Sequence, residues 1–320
     1  MMQIAKKQNS HIKFKADFVY LFVFLSFFAL VIYALTILSP IFSRSARDGM
    51  EFCFSVIIPS IFPFMILADL IIYTVRFEKI TVLKRLFSKL FKINSSALSV
   101  YLTGLISGFP LGAKLARELY GCGKISKNEC ERLIAISNNA SPAFVICGIG
   151  FSLFGSLKLG VFLYLISVVS SLLSGIIFSL PEKASQDLEC ESKHSFSLVD
   201  SIKSATSASI AICGFIVFFT IAGNLIFDFV KNDTIDAIIA AILEIGNASQ
   251  LISTLNTSLL IKIPLLSFAI SFSGISVHFQ TKSLLCGTDL SMKKYYIMKL
   301  FSGILSYLIS ILINLNFKTK

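Results

Sequence analysis

The chain has 320 residues, of which 55% are hydrophobic and 15% are charged, and its mean hydropathy is +0.81. Soluble domains average about a quarter charged residues, and several runs here reach the roughly 20 apolar residues that cross a bilayer core of about 30 Å. This composition excludes a soluble enzyme, a nucleic-acid-binding module and a disordered chain. It predicts an all-α polytopic membrane protein, whose net charge of +11 reflects Lys and Arg in cytoplasmic loops.

The sequence predicts neither a metal centre nor a catalytic site. Its seven cysteines are scattered without CxxC pairs, and its three histidines have no metal-ligand spacing. A nucleophile elbow would need a G-x-S-x-G motif, which is absent from the sequence. We therefore expect no enzyme, no cofactor and no resident metal.

Residues 1–48 are predicted to form an N-terminal tail and a first transmembrane helix. Four lysines precede an apolar run from Phe18 to Leu38, which we expect to end at Pro40. Because Lys collects at cytoplasmic helix ends, we place the N-terminus in the cytoplasm. A signal peptide is the alternative, but the run is long and no small-residue cleavage site follows it.

A second apolar run, Phe52–Tyr73, contains Pro59 and Pro63. We expect it to be broken or kinked, because proline removes a backbone donor. Two crossings then return the chain to the cytoplasm. There, Leu and Phe alternate with Lys and Arg at helical spacing over Lys79–Lys92, which predicts a helix lying in the membrane interface.

The remaining sequence predicts two repeat halves, residues 49–180 and 200–320, joined by an acidic linker over 181–199. Phe64–Ile71 can be laid over Phe219–Ile226 with four of eight positions identical. Each half then continues with two interrupted segments and a closing span. Paired interrupted segments in two halves are typical of transporter binding sites, so we expect an internal repeat.

Four polar breaks interrupt the apolar sequence. They are Ser107–Lys114, Asn138–Pro142, Glu244–Gln250 and Ser273–Gln280. Non-helical backbone at membrane depth persists only where it is buried in protein or lines a wet cavity. Broken helices also offer free N–H groups to an anion. We expect the four breaks to meet at one hydrated pocket halfway through the bilayer.

The predicted substrate-binding residues come from these breaks. They are Ser107, Gly108, Pro110, Gly112, Lys114, Asn138, Asn139, Ser141, Glu244, Asn247, Ser276, His278 and Gln280. Lys114 is interpreted as an ammonium aimed at a carboxylate or phosphate, or alternatively as a lysine that reaches the interface from a helix end. Glu244 and Asp69 are assigned coupling-ion or proton roles, although Asp69 could instead reach the interface. His278 is either a proton-linked switch or a packing residue.

Several ordered motifs resemble a known family, the YlbJ family of sporulation integral membrane proteins, which contain a nucleoside-recognition Gate domain. The motifs similar to that family are Pro59–Phe64, Ser107–Lys114, Gly123–Glu129, Glu131–Leu133, Asn138–Pro142, Leu243–Asn247, Gly274–Gln280 and Gly287–Leu290. The likeness begins near Gly49. Gly246-Asn247 departs from it, since a Thr-Asn or Thr-x-Gly pairing is expected there.

The resemblance implies broken or re-entrant helices and a fold related to that of concentrative nucleoside transporters. It also implies a role in endospore formation, in which dipicolinate moves from the mother cell across the outer forespore membrane. We therefore expect a cell-membrane transporter of a small planar anion, whose partners are that substrate and the lipid bilayer rather than nucleic acid. A homo-oligomer is compatible with this expectation.

Two other functions stay open. One is a nucleoside or nucleobase transporter, which is the literal meaning of the Gate-domain label. The other is a non-transporting membrane scaffold needed for spore assembly, in which the glycine-rich breaks only let helices pack closely.

Overall fold

The computed structural model describes residues 2–74, 81–179 and 197–318, and every regular element within these ranges is a helix. The predicted linker 181–199 lies largely outside them. In chain order the elements are α1 (Met2–Phe52), a π-helical segment (Cys53–Ile57), α2 (Ile58–Thr74), α3 (Thr81–Phe91), α4 (Ala97–Ser107), α5 (Leu111–Gly121), α6 (Lys127–Ser137), a π-helix (Ala143–Leu153), α7 (Leu157–Ile177), α8 (Leu198–Val230), α9 (Asp233–Leu243), α10 (Ile245–Thr254), α11 (Leu259–Phe272), α12 (Gly274–Leu284) and α13 (Lys293–Lys318). The predicted all-α class is confirmed.

The long helices turn apolar side chains outward and small polar ones inward. On α7 the exposed apolar side chains lie four residues apart, whereas the buried side chains include four serines. The exposed apolar set is Leu157, Val161, Leu165, Val169, Leu173 and Ile177, and the buried serines are Ser167, Ser170, Ser171 and Ser174. A helix surrounded by lipid has this arrangement, because small residues let membrane helices pack closely while lipid solvates the leucines.

Within the described residues, five helical segments are long and apolar enough to cross a membrane. They are Leu35–Leu67, Leu157–Ile177, Leu198–Val230, Leu259–Leu284 and Lys293–Ile313. Together with the outward-facing leucines, these segments identify an integral membrane protein.

The first two apolar runs form one helix rather than two crossings. The chain is helical without interruption from Met2 to Thr74, through both Pro40 and Pro63. The prediction that the first helix ends at Pro40 is therefore wrong, and so is the turn predicted after it. Membrane helices tolerate proline when local changes of helical register satisfy the freed carbonyls. Such a change occurs at Cys53–Ile57, just before Pro59, so the second run changes its helical register there but is not broken.

The two halves repeat one order of elements. In the first half, α2 and α3 are followed by the interrupted pair α4–α5, by α6 with the π-helix, and by α7. In the second, α8 is followed by α9–α10, α11–α12 and α13. Equivalent helices of the two halves also make equivalent contacts with the other half. Helix α7 packs on α11, and its counterpart α13 packs on α6. Helix α5 packs on α12, and its counterpart α10 packs on the π-helix. The division of the chain into two repeat halves stays a prediction, which this shared order of elements favours.

The start of α6 follows from local capping. The Ser126 backbone N–H donates to Glu129 Oε2 at 2.8 Å, and the Glu129 N–H donates back to Ser126 Oγ at 3.3 Å. This reciprocal pair satisfies two of the backbone donors that a helix N-terminus leaves unpaired. It fixes the helix that leads into the second interruption.

At one end of the bundle, the α5–α6 hairpin is fastened to the segment between α12 and α13. Lys127 Nζ lies 3.1 Å from Asp289 Oδ2, and the Tyr120 hydroxyl donates to Asp289 Oδ1 at 3.0 Å. The Ser291 N–H donates to Glu131 Oε1 at 2.8 Å. Hydrogen bonds from Lys127 and Tyr120 hold the pKa of the Asp289 carboxyl below its ordinary value. These contacts join the two halves away from their interruptions.

Candidate functional site

In the first half, the chain between α4 and α5 crosses the chain between α6 and the π-helix, and we call this contact the first crossing. Gly108, with a φ of 78°, ends α4, and the Phe109–Pro110 turn leads into α5. The Phe109 N–H donates to the Asn139 carbonyl oxygen at 2.8 Å. A β-carbon on Gly108 would lie 2.7 Å from the Ser141 nitrogen. Glycine is required here both by the positive φ and by the close approach of the second backbone.

The second half contains the corresponding crossing. Glu244 has an extended backbone between α9 and α10, while Ser273 and Gly274 separate α11 from α12 with a φ of 71° each. A β-carbon on Gly274 would lie 3.0 Å from the Leu243 carbonyl oxygen and 3.1 Å from the Glu244 nitrogen. A glycine with positive φ thus packs on the partner interruption in both halves.

The two crossings border one central cleft. All four interrupted pairs contribute to its lining, together with α2 and α8. The lining residues are Ile61, Met65, Ser107, Phe109, Ser141, Phe144, Ile212, Ile216, Glu244, Ile245, Val277 and Gln280. Its volume is about 30 Å³, enough for roughly one water molecule. The structure therefore brings the four breaks together, as predicted, around a space that is closed in this conformation.

The predicted site residues divide into groups by position. Those that line the cleft are Ser107, Ser141, Glu244 and Gln280. Those that are buried around the crossings are Gly108, Gly112, Asn138, Asn139, Ser276 and His278. Pro110 immediately precedes α5, and Gly112 packs against the Ser137 carbonyl. Asn247 lines a neighbouring cavity, and the side chain of Asp69 lies outside the described residues.

Three breaks are shorter than predicted. The segments after Pro110, Glu244 and Ser273 belong to α5, α10 and α12. Capping supplies a missing partner at the start of α10. Glu244 Oε2 accepts a hydrogen bond of 2.7 Å from the Asn247 N–H and so caps α10.

The basic side chain next to the crossings is not the predicted Lys114. Lys114 is exposed on α5 and lines neither cavity. Lys299 on α13 is only 1% exposed, and its Nζ donates to Asn139 Oδ1 at 2.9 Å. No ion pair to Lys299 is present in the described part of the chain. An ionisable group buried in a membrane without a counter-ion is costly and points to function.

The sequence contained a signal for Lys299, namely a lysine inside the last apolar run. The direction in which that lysine points depends on how α13 packs against α6, which sequence periodicity does not give.

A polar cluster surrounds Lys299 behind the first crossing. Asn138 Nδ2 donates to Thr281 Oγ1 at 2.8 Å and to the Tyr295 hydroxyl at 3.1 Å. The His278 ring packs edge-on against Tyr295, with centroids 5.2 Å apart. Neither nitrogen of His278 has a hydrogen-bond partner among the described residues, nor does Asn138 Oδ1. The cluster therefore contains buried polar atoms with unused hydrogen-bonding capacity.

A larger cavity of about 410 Å³ lies beside the cleft, between α1, α8, α9 and α10. It is lined by three carboxylates, Asp48, Glu51 and Glu244, and Glu244 also lines the cleft. The sequence analysis did not select Asp48 and Glu51, although two carboxylates near an apolar run are a visible signal. Their position next to Glu244 follows only from the packing of α1 on α8.

Comparison with known proteins identifies a sporulation protein as a relative. The chain is 26% identical to the sporulation integral membrane protein YlbJ of Bacillus subtilis (strain 168), over 82% of this chain and 74% of the relative. No protein-family profile and no solved structure match the chain. Together with the apolar helices, this similarity supports an integral membrane protein of sporulation that resembles YlbJ.

Proposed function

We propose that this protein is a transporter of a small planar anion, and that it moves dipicolinate across the outer forespore membrane during sporulation. The observation that carries the proposal is the meeting of two crossed, interrupted helix pairs at one cleft. Interrupted helices at a repeat interface are the usual construction of a substrate site in secondary transporters. The sporulation relative favours a substrate used in making spores.

The cleft lining suits a flat ring with polar substituents. The rings of Phe109 and Phe144 meet edge to face, with centroids 6.5 Å apart, and they offer aromatic surface to a ring. Ser107, Ser141 and Gln280 add hydroxyl and amide groups around them. Apolar walls with a few polar groups are typical of small-molecule sites.

Positive potential reaches the crossings from two sources. Helix α5, the π-helix and α12 begin at the interruptions, and helix N-termini carry partial positive charge. Lys299 adds an ammonium that bonds the side-chain oxygen of Asn139. The backbone carbonyl of Asn139 accepts a hydrogen bond from the Phe109 N–H in the cleft wall. A dicarboxylate on a pyridine ring would use both sources.

The cleft must open for such a ligand to enter. A volume of about 30 Å³ is far below the roughly 300–1,000 Å³ of ordinary ligand pockets. The described conformation is therefore closed, and transport requires the two crossings to separate. Rocking of one repeat against the other provides such a movement in many carriers.

A second candidate ligand is an uncharged nucleoside or nucleobase. The residues that directly line the cleft include Glu244 and no Lys, Arg or His. This lining favours a planar molecule without negative charge. The two candidates differ in whether Lys299 is needed for binding, because only an anion gains from the ammonium.

The test is calorimetric titration of the purified full-length protein with dipicolinate and, separately, with a nucleoside. We expect dipicolinate to bind the wild-type protein and the Lys114→Met control, and to bind Lys299→Met far more weakly. Nucleoside binding of equal affinity in the wild-type protein and in Lys299→Met would favour the second candidate. Binding of neither compound would overturn the transporter proposal and favour a scaffold.

A cellular measurement complements the titration. Spores of a Gln280→Leu strain should contain less dipicolinate than wild-type spores, because the variant removes an amide from the cleft wall. Wild-type dipicolinate content at normal protein level would contradict the assignment of the cleft.

A further inference from the structure

The cavity lined by Asp48, Glu51 and Glu244, called the acidic cavity below, does not have the lining of an anion site. Its volume is about 410 Å³, and none of its lining residues is Lys, Arg or His. Asp48 and Glu51 are exposed at its mouth, whereas Glu244, at its inner end, is 3% exposed. Asp48 and Glu51 lie within the candidate span Leu35–Leu67. Carboxylates within an apolar span persist where they face water or a partner, and a cavity lined by three carboxylates and no basic side chain attracts cations.

The protein itself does not neutralise these carboxylates with an ion pair. Arg44 and Arg47 precede Asp48 and Glu51 by four residues on α1. Such spacing allows a pair on a helix. Nevertheless, within the described ranges no ion pair joins these residues. The negative charge of the cavity is thus left for a mobile cation.

One polar atom of a buried side chain in the same cavity also lacks a hydrogen-bond partner. Asn247 is 9% exposed, lines the cavity, and has an amide nitrogen without a hydrogen bond. Thr220 Oγ1 lies 2.8 Å from Asn247 Oδ1 and 2.7 Å from the Ile216 carbonyl oxygen. A hydroxyl has one hydrogen and cannot donate to both oxygens.

Turning the Asn247 amide by 180° removes this conflict. The oxygen and nitrogen of an asparagine amide exchange places with little change of shape. After the turn, the Asn247 amide nitrogen donates to Thr220 Oγ1, and the Thr220 hydroxyl donates only to the Ile216 carbonyl oxygen. The amide oxygen then takes the buried, unpartnered position, which leaves an acceptor without a donor on the residue whose backbone N–H bonds Glu244 Oε2.

We propose that Glu244 and Asn247 hold a monovalent metal cation, which enters through the acidic cavity, while Thr220 fixes the orientation of the Asn247 amide. Carboxylate and amide oxygens are ligands that hard cations prefer, and the cavity has room for the waters that complete the shell. One buried carboxylate balances one positive charge. A divalent ion would leave an uncompensated charge in a poorly solvated place.

The position of Glu244 suggests how the cation assists transport. Glu244 lines the central cleft as well as the acidic cavity. A bare carboxylate in the cleft would repel an anionic substrate, and a bound cation removes that repulsion. This coupling rests on the proposed function, whereas the cation site itself does not.

The test is thermal unfolding of the purified full-length protein in sodium, potassium or choline chloride at equal ionic strength and at two pH values. Choline is too large for the site and controls for screening. We expect sodium or potassium to raise the unfolding temperature saturably by about 5 °C over choline. Glu244→Gln should abolish the rise, and Glu118→Gln, an exposed glutamate of α5, should keep it. Equal unfolding temperatures in all three salts, or dependence on pH alone, would overturn the proposal.

A second variant covers the case in which Glu244→Gln fails to fold, since Glu244 also caps α10. The double variant Asp48→Asn with Glu51→Gln changes only exposed carboxylates at the cavity mouth. It should raise the half-saturating cation concentration by about tenfold, because the local cation concentration falls. An unchanged half-saturation would contradict the entry path and the site together. A cation response without any dipicolinate binding would instead overturn the proposed function and leave the cation site standing.

Discussion

Gly108 and Ser141 approach so closely that a β-carbon on the glycine would lie 2.7 Å from the serine nitrogen. Gly274 makes the corresponding approach to Glu244 in the second half, at 3.1 Å. Each half is therefore fastened where its two interruptions cross. The movement that opens the cleft must occur between the crossings rather than within them.

Gly108→Ala should destabilise the first crossing. The added carbon clashes with backbone, which cannot move aside as a side-chain end can, and alanine disfavours the positive φ. We expect a loss of about 1–3 kcal/mol of stability, seen as a lower unfolding temperature of the purified protein. Gly121→Ala is the matched control, because nothing lies within 4 Å of its added carbon. Equal unfolding temperatures of the two variants would contradict the close crossing.

Lys299→Met should weaken dipicolinate binding without moving the residues that line the cleft. The variant removes the buried ammonium that bonds Asn139 Oδ1, and with it the attraction of that positive charge for an anion in the cleft. We expect a fall in affinity of about 10- to 100-fold by calorimetry. Lys114→Met serves as control, since Lys114 is exposed. A similar loss of affinity in both variants would remove Lys299 from the site.

His278→Phe tests whether this histidine is a packing residue. Its ring packs edge-on against Phe272, Tyr295 and Tyr296, and neither nitrogen has a partner within the described chain. Phenylalanine keeps the ring and removes two unsatisfied polar atoms, so stability should stay equal or rise by about 1 kcal/mol. His278→Ala should instead cost about 2–4 kcal/mol through the cavity it leaves. Unfolding temperatures that fall equally in both variants would show that a nitrogen makes a required contact.

The Asp289 contacts should stabilise the protein fully above about pH 4 and progressively less as the pH falls below it. Bonds from Lys127 and Tyr120 lower the pKa of this carboxyl in the folded state, so the folded state favours the ionised form. The resulting stabilisation is present above the unfolded pKa and is lost as the pH falls through the folded one. The unfolding temperatures of wild type and Asp289→Asn should therefore converge in acid. A difference in unfolding temperature that does not change with pH would mean that the ionised Asp289 carboxylate does not contribute to stability.

The fold class and the meeting of the breaks could be predicted because both follow from local sequence. Long apolar runs require membrane helices, and polar interruptions within them require burial or water. The capping box at Ser126 was predictable for the same reason, as its partners are three residues apart.

The wrong predictions concern features that depend on the surroundings of a helix, either lipid or distant parts of the chain. Pro40 does not end α1, because lipid makes every broken backbone bond costly and favours continuing the helix. Lys114 and Lys299 both follow apolar sequence, yet only the second points into the protein. Helical periodicity alone does not distinguish them, since each direction is set by neighbours far along the chain.

The most direct test of the account is an experimental structure of the full-length protein with dipicolinate bound. We predict that the two crossings move apart and that the ligand lies in the opened cleft, with its ring beside Phe109 and its polar edges near Ser141 and Gln280. A ligand bound elsewhere while the cleft keeps its closed shape would contradict the account.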